Sequence, residues 1–263
     1  MNENKGKNIP QVILAPLTGK AVPLSEVPDL VFSEKVLGDG VAIIPADGKI
    51  VSPVDGEIST VAETRYYEWT WISAKTGYGK YDEGMALLSK KPIARVQQFL
   101  TSKTDDYENW KTRRILGIQP EGSSDWFFTV HMGWWNDEEE PFVDQWKCIQ
   151  ETLKDPKYRE GTIWLMGDFN SQDDVRGEGY DLVLKSGWKD TYLLAEEKDD
   201  GITVAEEIDG WREADGRSKA AKNEKRLDYI FCNTQEEVRA SNVICNGKNA
   251  PVVSDHYGVM ITV

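Results

Sequence analysis

The sequence predicts a mixed α/β protein with a β-rich segment at its front. From about residue 63 onward, apolar strand-like runs alternate with helical stretches. The segment 141–155 repeats apolar residues at helical spacing, which predicts an amphipathic helix. Residues 8–62 instead carry short apolar runs cut by Asp-Gly dipeptides, a pattern typical of short strands and tight turns. We therefore expect two parts, residues 1–62 and residues 63–263.

Each strand of the second part is predicted from an apolar run bounded by polar residues. In chain order the runs are GMALLSKKPI at 84–93, RRILGIQ at 113–119, WFFTVHM at 126–132, TIWLMGDF at 162–169, RLDYIFCN at 226–233 and PVVSDHYGVMITV at 251–263. Turns of the first part are predicted at the dipeptides Asp39-Gly40, Asp47-Gly48 and Asp55-Gly56.

The charge balance disfavours nucleic acid as a partner. The chain has 31 basic and 45 acidic side chains, a net charge of −14, and such a surface repels a polyanion. The three cysteines form no CxxC or Cys/His cluster, so neither a disulfide framework nor a structural zinc site is indicated. The polar start and the lack of a long apolar run predict a soluble cytoplasmic protein with no membrane partner.

The two histidines of the chain both stand beside residues suited to phosphoester chemistry. His131 ends an apolar strand, and His256 follows an apolar run. Asp168 and Asn170, two apart at the end of a third strand, are expected to project toward one cleft. A carboxylate and an amide so placed can orient water and hydrogen-bond a phosphoryl oxygen. Asp228 lies in an apolar strand, where a carboxylate needs a partner, and His256 is the preferred one.

Three motifs in order resemble the endonuclease/exonuclease/phosphatase superfamily, whose members include deoxyribonuclease I, sphingomyelinases and inositol-polyphosphate phosphatases. They are GDFN at 167–170, RLDYI at 226–230 and SDH at 254–256. The resemblance covers residues 63–263. It implies a four-layer α/β sandwich, here without the N-terminal strands of the superfamily, and metal-dependent hydrolysis of phosphoesters.

The resemblance also implies roles for individual residues. Asp168 and Asn170 would contact the nucleophile and the phosphate, Asp228 would orient His256, and Glu83 would hold His131. Which histidine is the base and which the acid stays open. Arg113 or Arg114 can clamp phosphate oxygens, although a surface-charge role fits either equally well.

The stretches 66–84 and 131–142 narrow the resemblance to a bacterial branch that includes sugar-phosphatases acting on substrates such as maltose 6'-phosphate. Trp134 and Trp135 follow His131 closely, and their rings can stack on a sugar. Core packing accounts better for most of the ten tryptophans.

Residues 11–62 resemble the first third to half of glucose-type enzyme IIA of the sugar phosphotransferase system. The active-site histidines of that family have no counterpart in this segment, so we expect no phosphocarrier role. The superfamily's N-terminal Gln-Glu metal ligand is also missing before residue 63. Asp255 and Glu68 are then the candidate ligands for Mg²⁺ or Mn²⁺, and we expect reduced affinity and activity.

The preferred function is therefore a magnesium-dependent phosphomonoesterase acting on a phosphorylated sugar. Two alternatives remain, an endonuclease or exonuclease of the same superfamily and a non-catalytic remnant related to sugar transport. The sequence indicates no particular oligomeric state.

Overall fold

The computed structural model describes residues 17–27, 41–50, 67–205 and 224–263. Contacts between residues divide the chain into two units, residues 1–61 and residues 62–263. Within the described ranges, none of the helices combines the length and the apolar character needed to cross a bilayer.

The described part of the first unit is an antiparallel pair of strands, β1 (Leu17–Pro23) and β2 (Val41–Ile50). The pairing jumps from Gly19 opposite Pro45 to Leu17 opposite Ile50, so the ladder is irregular between these points. The turn predicted at 47–48 is wrong, because these residues lie inside β2. The turns predicted at 39–40 and 55–56 fall outside the described residues.

The second unit contains a six-stranded sheet in the order β5-β6-β7-β8-β11-β9. Neighbouring strands are antiparallel except for β7 and β8, which run parallel. The bounds are β5 (Ile93–Leu100), β6 (Arg114–Pro120), β7 (Trp126–His131), β8 (Ile163–Asp168), β9 (Lys189–Asp190) and β11 (Asp228–Cys232). The chain passes from β7 to β8 through helix α1 (Phe142–Thr152).

One face of this sheet packs against α1 and helix α2 (Gly179–Lys185). The helix predicted over 141–155 is confirmed, and its periodic residues Phe142, Gln145, Trp146 and Ile149 are all buried. The side chain of Gln145 accepts from the backbone N–H of Gly133 (2.8 Å) and donates to the carbonyl of Glu140 (3.0 Å), which satisfies a buried amide.

The opposite face is covered by two smaller groups of strands. The hairpin β3 (Glu68–Gly77) and β4 (Tyr81–Ser89) forms one, and it packs Ile72 and Leu87 against Leu116 and Ile118 of β6. The other consists of β10 (Glu197–Lys198), β12 (Ala240–Ile244) and β13 (Gly258–Thr262), with the short helix α3 (Thr191–Leu194) nearby. Sheets and helices stacked in this way confirm the predicted α/β sandwich.

Two predicted strands have different bounds. The run 84–93 is divided between β4, which ends at Ser89, and β5, which begins at Ile93; Pro92, which has no N–H to donate, lies between them. Of the run 251–263, only Gly258–Thr262 is a strand, and residues 251–257 form an irregular connection.

Candidate active site

Strand register brings three of the predicted site residues into one row. His131 at the end of β7 pairs with Asp168 at the end of β8, and Asp168 pairs with Asp228 at the start of β11. Alternation along each strand places these side chains on the same face as Phe127, Met166 and Ile230, toward the two smaller strand groups. The row therefore lies at one end of the space between the sheets.

The structure explains the other three residues of the GDFN motif, each in a different way. Gly167 has φ of +135° and lies against the β7 backbone, where a Cβ would come within 2.2 Å of the carbonyl oxygen of Val130. Phe169 turns to the other face and is buried in the helix-side core. Asn170 has φ of 46°, a left-handed conformation that asparagine tolerates, and its side-chain amide donates to the carbonyl of Met132 (2.9 Å).

The predicted pairing of Asp228 with His256 is observed. Nδ1 of His256 lies 2.9 Å from Oδ2 of Asp228. Thr203, which is fully buried, ties the two segments together. Its hydroxyl accepts from the backbone N–H of Asp228 (3.2 Å), and its carbonyl accepts from the N–H of Tyr257 (2.7 Å). The imidazole is thereby held at a fixed place beside the row.

The two histidines have opposite electrostatic environments. Burial opposes the charged form of His256, but the hydrogen bond and the charge of Asp228 raise its pKa to about 9. Burial, followed by the charges of Arg113 and Lys75, holds the pKa of His131 well below its usual 6.5. Nε2 of His131 lies 3.6 Å from Oδ2 of Asp168. At neutral pH one imidazole is charged and the other is neutral.

A divalent cation fits the donor set beside these histidines. Ligand atoms of Asp168, Asp228 and His256 all lie within 4.8 Å of one another. Burial, followed by the nearby charge of Asp228, raises the pKa of Asp168 to about 7, so a bound cation would favour the charged form of Asp168. Two carboxylates plus water are a common arrangement for Mg²⁺. Asp168 and Asp228 are thus the residues that would hold the ion.

The two ligands predicted by sequence lie outside that group. Asp255 adjoins His256 in the chain, but its Oδ1 accepts from the hydroxyl of Ser254 (3.0 Å), and it is not among the converging donors. Glu68 stands at the start of β3 and accepts from the backbone N–H of Ile93 (2.7 Å). Lys75 acts on His131 and so lies near the site, and Glu68 precedes it by seven residues on β3. At the usual rise per residue, Glu68 is therefore roughly 20 Å from Lys75. Glu68 thus caps the start of β5, apart from the converging donors.

Glu83, which was predicted to hold His131, forms a salt bridge with Lys75 instead. Oε1 of Glu83 lies 3.1 Å from Nζ of Lys75, its cross-strand partner on β3. A buried ammonium needs a carboxylate more than a neutral imidazole does, so the lysine takes Glu83. Sequence reasoning did not single out Lys75, since nothing in the local pattern shows which lysine of the hairpin points inward.

The two candidate arginines have different environments. Arg114 is partly exposed and forms a salt bridge with Asp105. Arg113 is buried, and its Nη1 donates to the carbonyls of Trp110 (2.8 Å) and Thr112 (3.2 Å). Of the two, Arg113 is the one that lies close enough to influence His131 and Asp168.

The two candidate tryptophans also differ. The ring of Trp135 packs on Phe142, with ring centroids 6.2 Å apart, and belongs to the periphery of the helix-side core. Its position is explained by packing. Trp134 is half-buried, and its carbonyl accepts from the backbone N–H of Phe142 (3.1 Å).

Comparison with solved structures decides the family. The chain superposes on an endonuclease/exonuclease/phosphatase family protein from Leptotrichia buccalis C-1013-b with a TM-score of 0.64 and 33% sequence identity, covering 77% of this chain and 72% of that one. The chain belongs to the endonuclease/exonuclease/phosphatase family. The composition of the site, with paired acids and imidazoles, is that expected of a phosphoester hydrolase of this family.

Another member of the family fold has a more specific description. A mannosyl-6-phosphatase from Bacteroides thetaiotaomicron VPI-5482 matches with a TM-score of 0.55 and 19% identity, covering 76% of this chain and 78% of that one. At this identity the likeness shows the fold alone.

The front of the chain matches a different family. Residues 11–70 fit the profile of the phosphoenolpyruvate-dependent sugar phosphotransferase system, EIIA 1. The glucose-specific EIIA component of Oceanobacillus iheyensis is 47% identical over 66 residues, and the glucose-specific EIICBA component of Staphylococcus saprophyticus is 57% identical over 54 residues. These matches cover 25% and 20% of this chain, and only 39% and 8% of the two relatives. The predicted enzyme IIA-like segment is confirmed.

Proposed function

We propose that this protein is a divalent-metal-dependent phosphomonoesterase acting on a phosphorylated sugar. The observation that carries the proposal is the placement of Asp168 between a neutral His131 and a charged His256. Two groups whose pKa values are pushed apart in this way supply a base and an acid at the same pH.

The chain's own residues support an in-line displacement. His131 can accept a proton from the attacking water because its imidazole is neutral at pH 7. His256, held protonated by Asp228, can donate a proton to the leaving oxygen. Asn170 has its amide fixed by Met132 and lies at the end of the same strand as Asp168, where it can hydrogen-bond a phosphoryl oxygen. Arg113 provides a buried positive charge for the phosphate.

A divalent cation held by Asp168 and Asp228 would polarise the phosphoryl group and lower the pKa of a coordinated water. The convergence of Asp168, Asp228 and His256 within 4.8 Å supports such a role. Mg²⁺ and Mn²⁺ are the ions we propose, since both prefer oxygen ligands.

Three observations support a sugar phosphate as the substrate. The net charge of −14 disfavours a polyanionic nucleic acid. A half-buried Trp134 stands three residues after His131, where its ring can pack on a sugar. The mannosyl-6-phosphatase shares the fold. The enzyme IIA-like segment contains no histidine, which supports hydrolysis by the second unit rather than phosphoryl relay by the first.

The test is phosphate release from hexose 6-phosphates and phosphorylated disaccharides, with Mg²⁺, with Mn²⁺ and with EDTA. We expect turnover only with metal, and a loss on the order of 100-fold or more in Asp168→Asn and His256→Gln. Glu160→Gln, an exposed carboxylate just before the start of β8 and so beyond the opposite end of that strand from Asp168, is the matched control. Full turnover in EDTA would overturn the metal requirement. Nicking of plasmid DNA without sugar-phosphate hydrolysis would favour a nuclease, and inactivity in every assay would favour the remnant.

A further inference from the structure

Lys75 is a buried lysine on β3 to which the mechanism above gives no role. The β3–β4 ladder skips Ala74, which forms a bulge, before Lys75 pairs with Glu83. A bulge shifts the alternation of side chains by one position and re-aims those that follow. As a result Ile72 and Lys75, three residues apart, are both buried on the inner face of the hairpin.

Arg113 brings a second buried cation to the same place. Nζ of Lys75 donates to the carbonyl oxygen of Trp110 (2.9 Å), and Nη1 of Arg113 donates to the same oxygen (2.8 Å). The two nitrogens are therefore at most about 5.7 Å apart. Only 6% of Lys75 and 4% of Arg113 is exposed, so little water screens their repulsion.

These two cations have one carboxylate partner between them. Glu83 pairs with Lys75. In the part of the chain that the structure describes, Arg113 forms no salt bridge, and its Nε is buried with no hydrogen-bond partner. Burial lowers the pKa of both side chains, and the charge of Arg113 lowers that of Lys75 further. A buried charge without a salt-bridge partner is costly, and burial of Arg113 outweighs the attraction of the carboxylates around it, Glu83 and Asp168 foremost.

The cation pair borders the reacting centre. Arg113 directly precedes β6. Leu116 pairs with Thr129 in the antiparallel ladder of β6 and β7, so extending this register by three residues places residue 113 at the end of β7, beside His131. The charges of both cations act on His131. An anion attracted to the pair would lie next to the row formed by His131 and Asp168.

We propose that Lys75 and Arg113 together bind the phosphoryl group of the substrate, and that Lys75 sets a preference for phosphate monoesters over diesters. This inference rests on the proposed function. A monoester carries close to two negative charges at neutral pH and a diester carries one, so a second buried cation favours the monoester. Arg113, whose Nε–H has no partner in the structure, and Lys75 act on the phosphate as two buried positive charges. Glu83 keeps Lys75 charged and in place before the substrate arrives.

The experiment compares the wild-type protein with Lys75→Met, Lys75→Arg and the control Lys111→Met. Lys111 is a matched control because it lies two residues before Arg113 and is already neutralised by Asp137 and Glu139. The double variant Lys75→Met/Glu83→Gln removes both members of the ion pair, which spares the fold an unpaired carboxylate. Thermal melts establish that each variant is folded.

Two quantities are measured. The first is the affinity for inorganic phosphate in EDTA, by calorimetry. The second is the ratio of kcat/KM for p-nitrophenyl phosphate to that for bis(p-nitrophenyl) phosphate. We expect Lys75→Met and the double variant to weaken phosphate binding about 10-fold or more and to lower the ratio by a similar factor. Lys75→Arg should recover most of both, and Lys111→Met should match the wild type.

The outcomes separate this inference from the proposed function. Phosphate binding that is absent in the wild type, or equal in the wild type and Lys75→Met, would overturn the inference, as would an unchanged monoester preference. Hydrolysis with an unchanged preference would leave the proposed function standing. Lys75-dependent phosphate binding in a protein that hydrolyses no ester would uphold the anion site and contradict the proposed function.

Discussion

Gly167 of β8 lies against the carbonyl oxygen of Val130 on β7, one residue before the pairing of His131 with Asp168. A Cβ at residue 167 would approach that oxygen to 2.2 Å, and its φ of +135° is one that other residues rarely adopt. The close approach of the two strands sets the separation of the imidazole and the carboxylate. Geometry at the site therefore depends on a residue that has no side chain.

Replacing Gly167 with alanine should destabilise the protein by about 3 kcal/mol, because the substitution adds both a backbone strain and a steric clash. Urea denaturation measures the loss. Gly122→Ala is the matched control, since Gly122 also has positive φ (+72°) but nothing lies within 4 Å of its Cβ position. We expect about 1 kcal/mol there. Equal losses in the two variants would contradict the role of the Val130 contact.

The pairing of Asp228 with His256 predicts a fall in stability as the pH rises from about 7 to 10 in EDTA. The pKa of His256 is about 9 in the folded protein against a usual 6.5, so the folded state holds this proton more tightly. The stabilisation is complete below pH 6.5 and is lost as the pH passes through 9. Its size is up to about 3 kcal/mol.

Urea denaturation at several pH values, in parallel for the wild type and His256→Gln, isolates this contribution. The raised pKa of Asp168 acts at lower pH, through about 7 in the wild type; the charge of His256 lowers that pKa, so Asp168 titrates at a higher pH in the variant. A variant curve that runs parallel to the wild-type curve above pH 7 would show that the histidine does not cause the loss.

A divalent cation should stabilise the wild type and leave the variant Asp168→Asn/Asp228→Asn unaffected. At a free concentration 100-fold above Kd, binding adds about 2.7 kcal/mol to the free energy of unfolding. Without metal, the substitutions remove the repulsion between the two carboxylates but also the pairing of Asp228 with His256, so each protein is compared with itself, with and without metal.

Melting temperatures with Mg²⁺, Mn²⁺ and EDTA provide the measurement, with Glu160→Gln as the control for a change in surface charge. If the cation raises the melting temperature of the double variant as much as that of the wild type, the ion binds elsewhere.

Cys232 should react with a thiol reagent much more slowly than Cys148 and Cys245. Burial, followed by the charge of Glu236, raises the pKa of Cys232 to about 11, so almost no thiolate exists at pH 8. The other two cysteines are partly exposed. Absorbance after addition of the reagent should show two fast thiols and one slow thiol, which becomes fast in urea. Three thiols reacting at one rate in the native protein would refute the expectation.

The parts of the fold predicted correctly are those determined by local pattern. The alternation of TIWLMGDF yields β8, and the helical spacing of 141–155 yields α1, because each needs only one buried face. Asp228 and His256 were paired from a general rule, since a carboxylate in an apolar strand needs a partner. The distance of 2.9 Å between them confirms that pairing.

The parts missed depend on pairing between distant segments. The bulge at Ala74 determines which residues of β3 face inward, and the amino-acid sequence of β3 does not indicate this bulge. Glu83 therefore meets Lys75 rather than His131. Glu68 was predicted as a metal ligand, yet it serves the N–H of Ile93, a contact that exists only once β5 has folded beside the hairpin.

The alternation of side chains along β8 also limits how this protein can be altered. Asp168 faces the cleft and Phe169 faces the helices, so gaining or losing a single residue between 163 and 168 would exchange them. The carboxylate of Asp168 would then lie in the apolar helix-side core, and the ring of Phe169 would face the cleft. Insertions for engineering belong instead in the connection at 172–178, where added length leaves that orientation untouched.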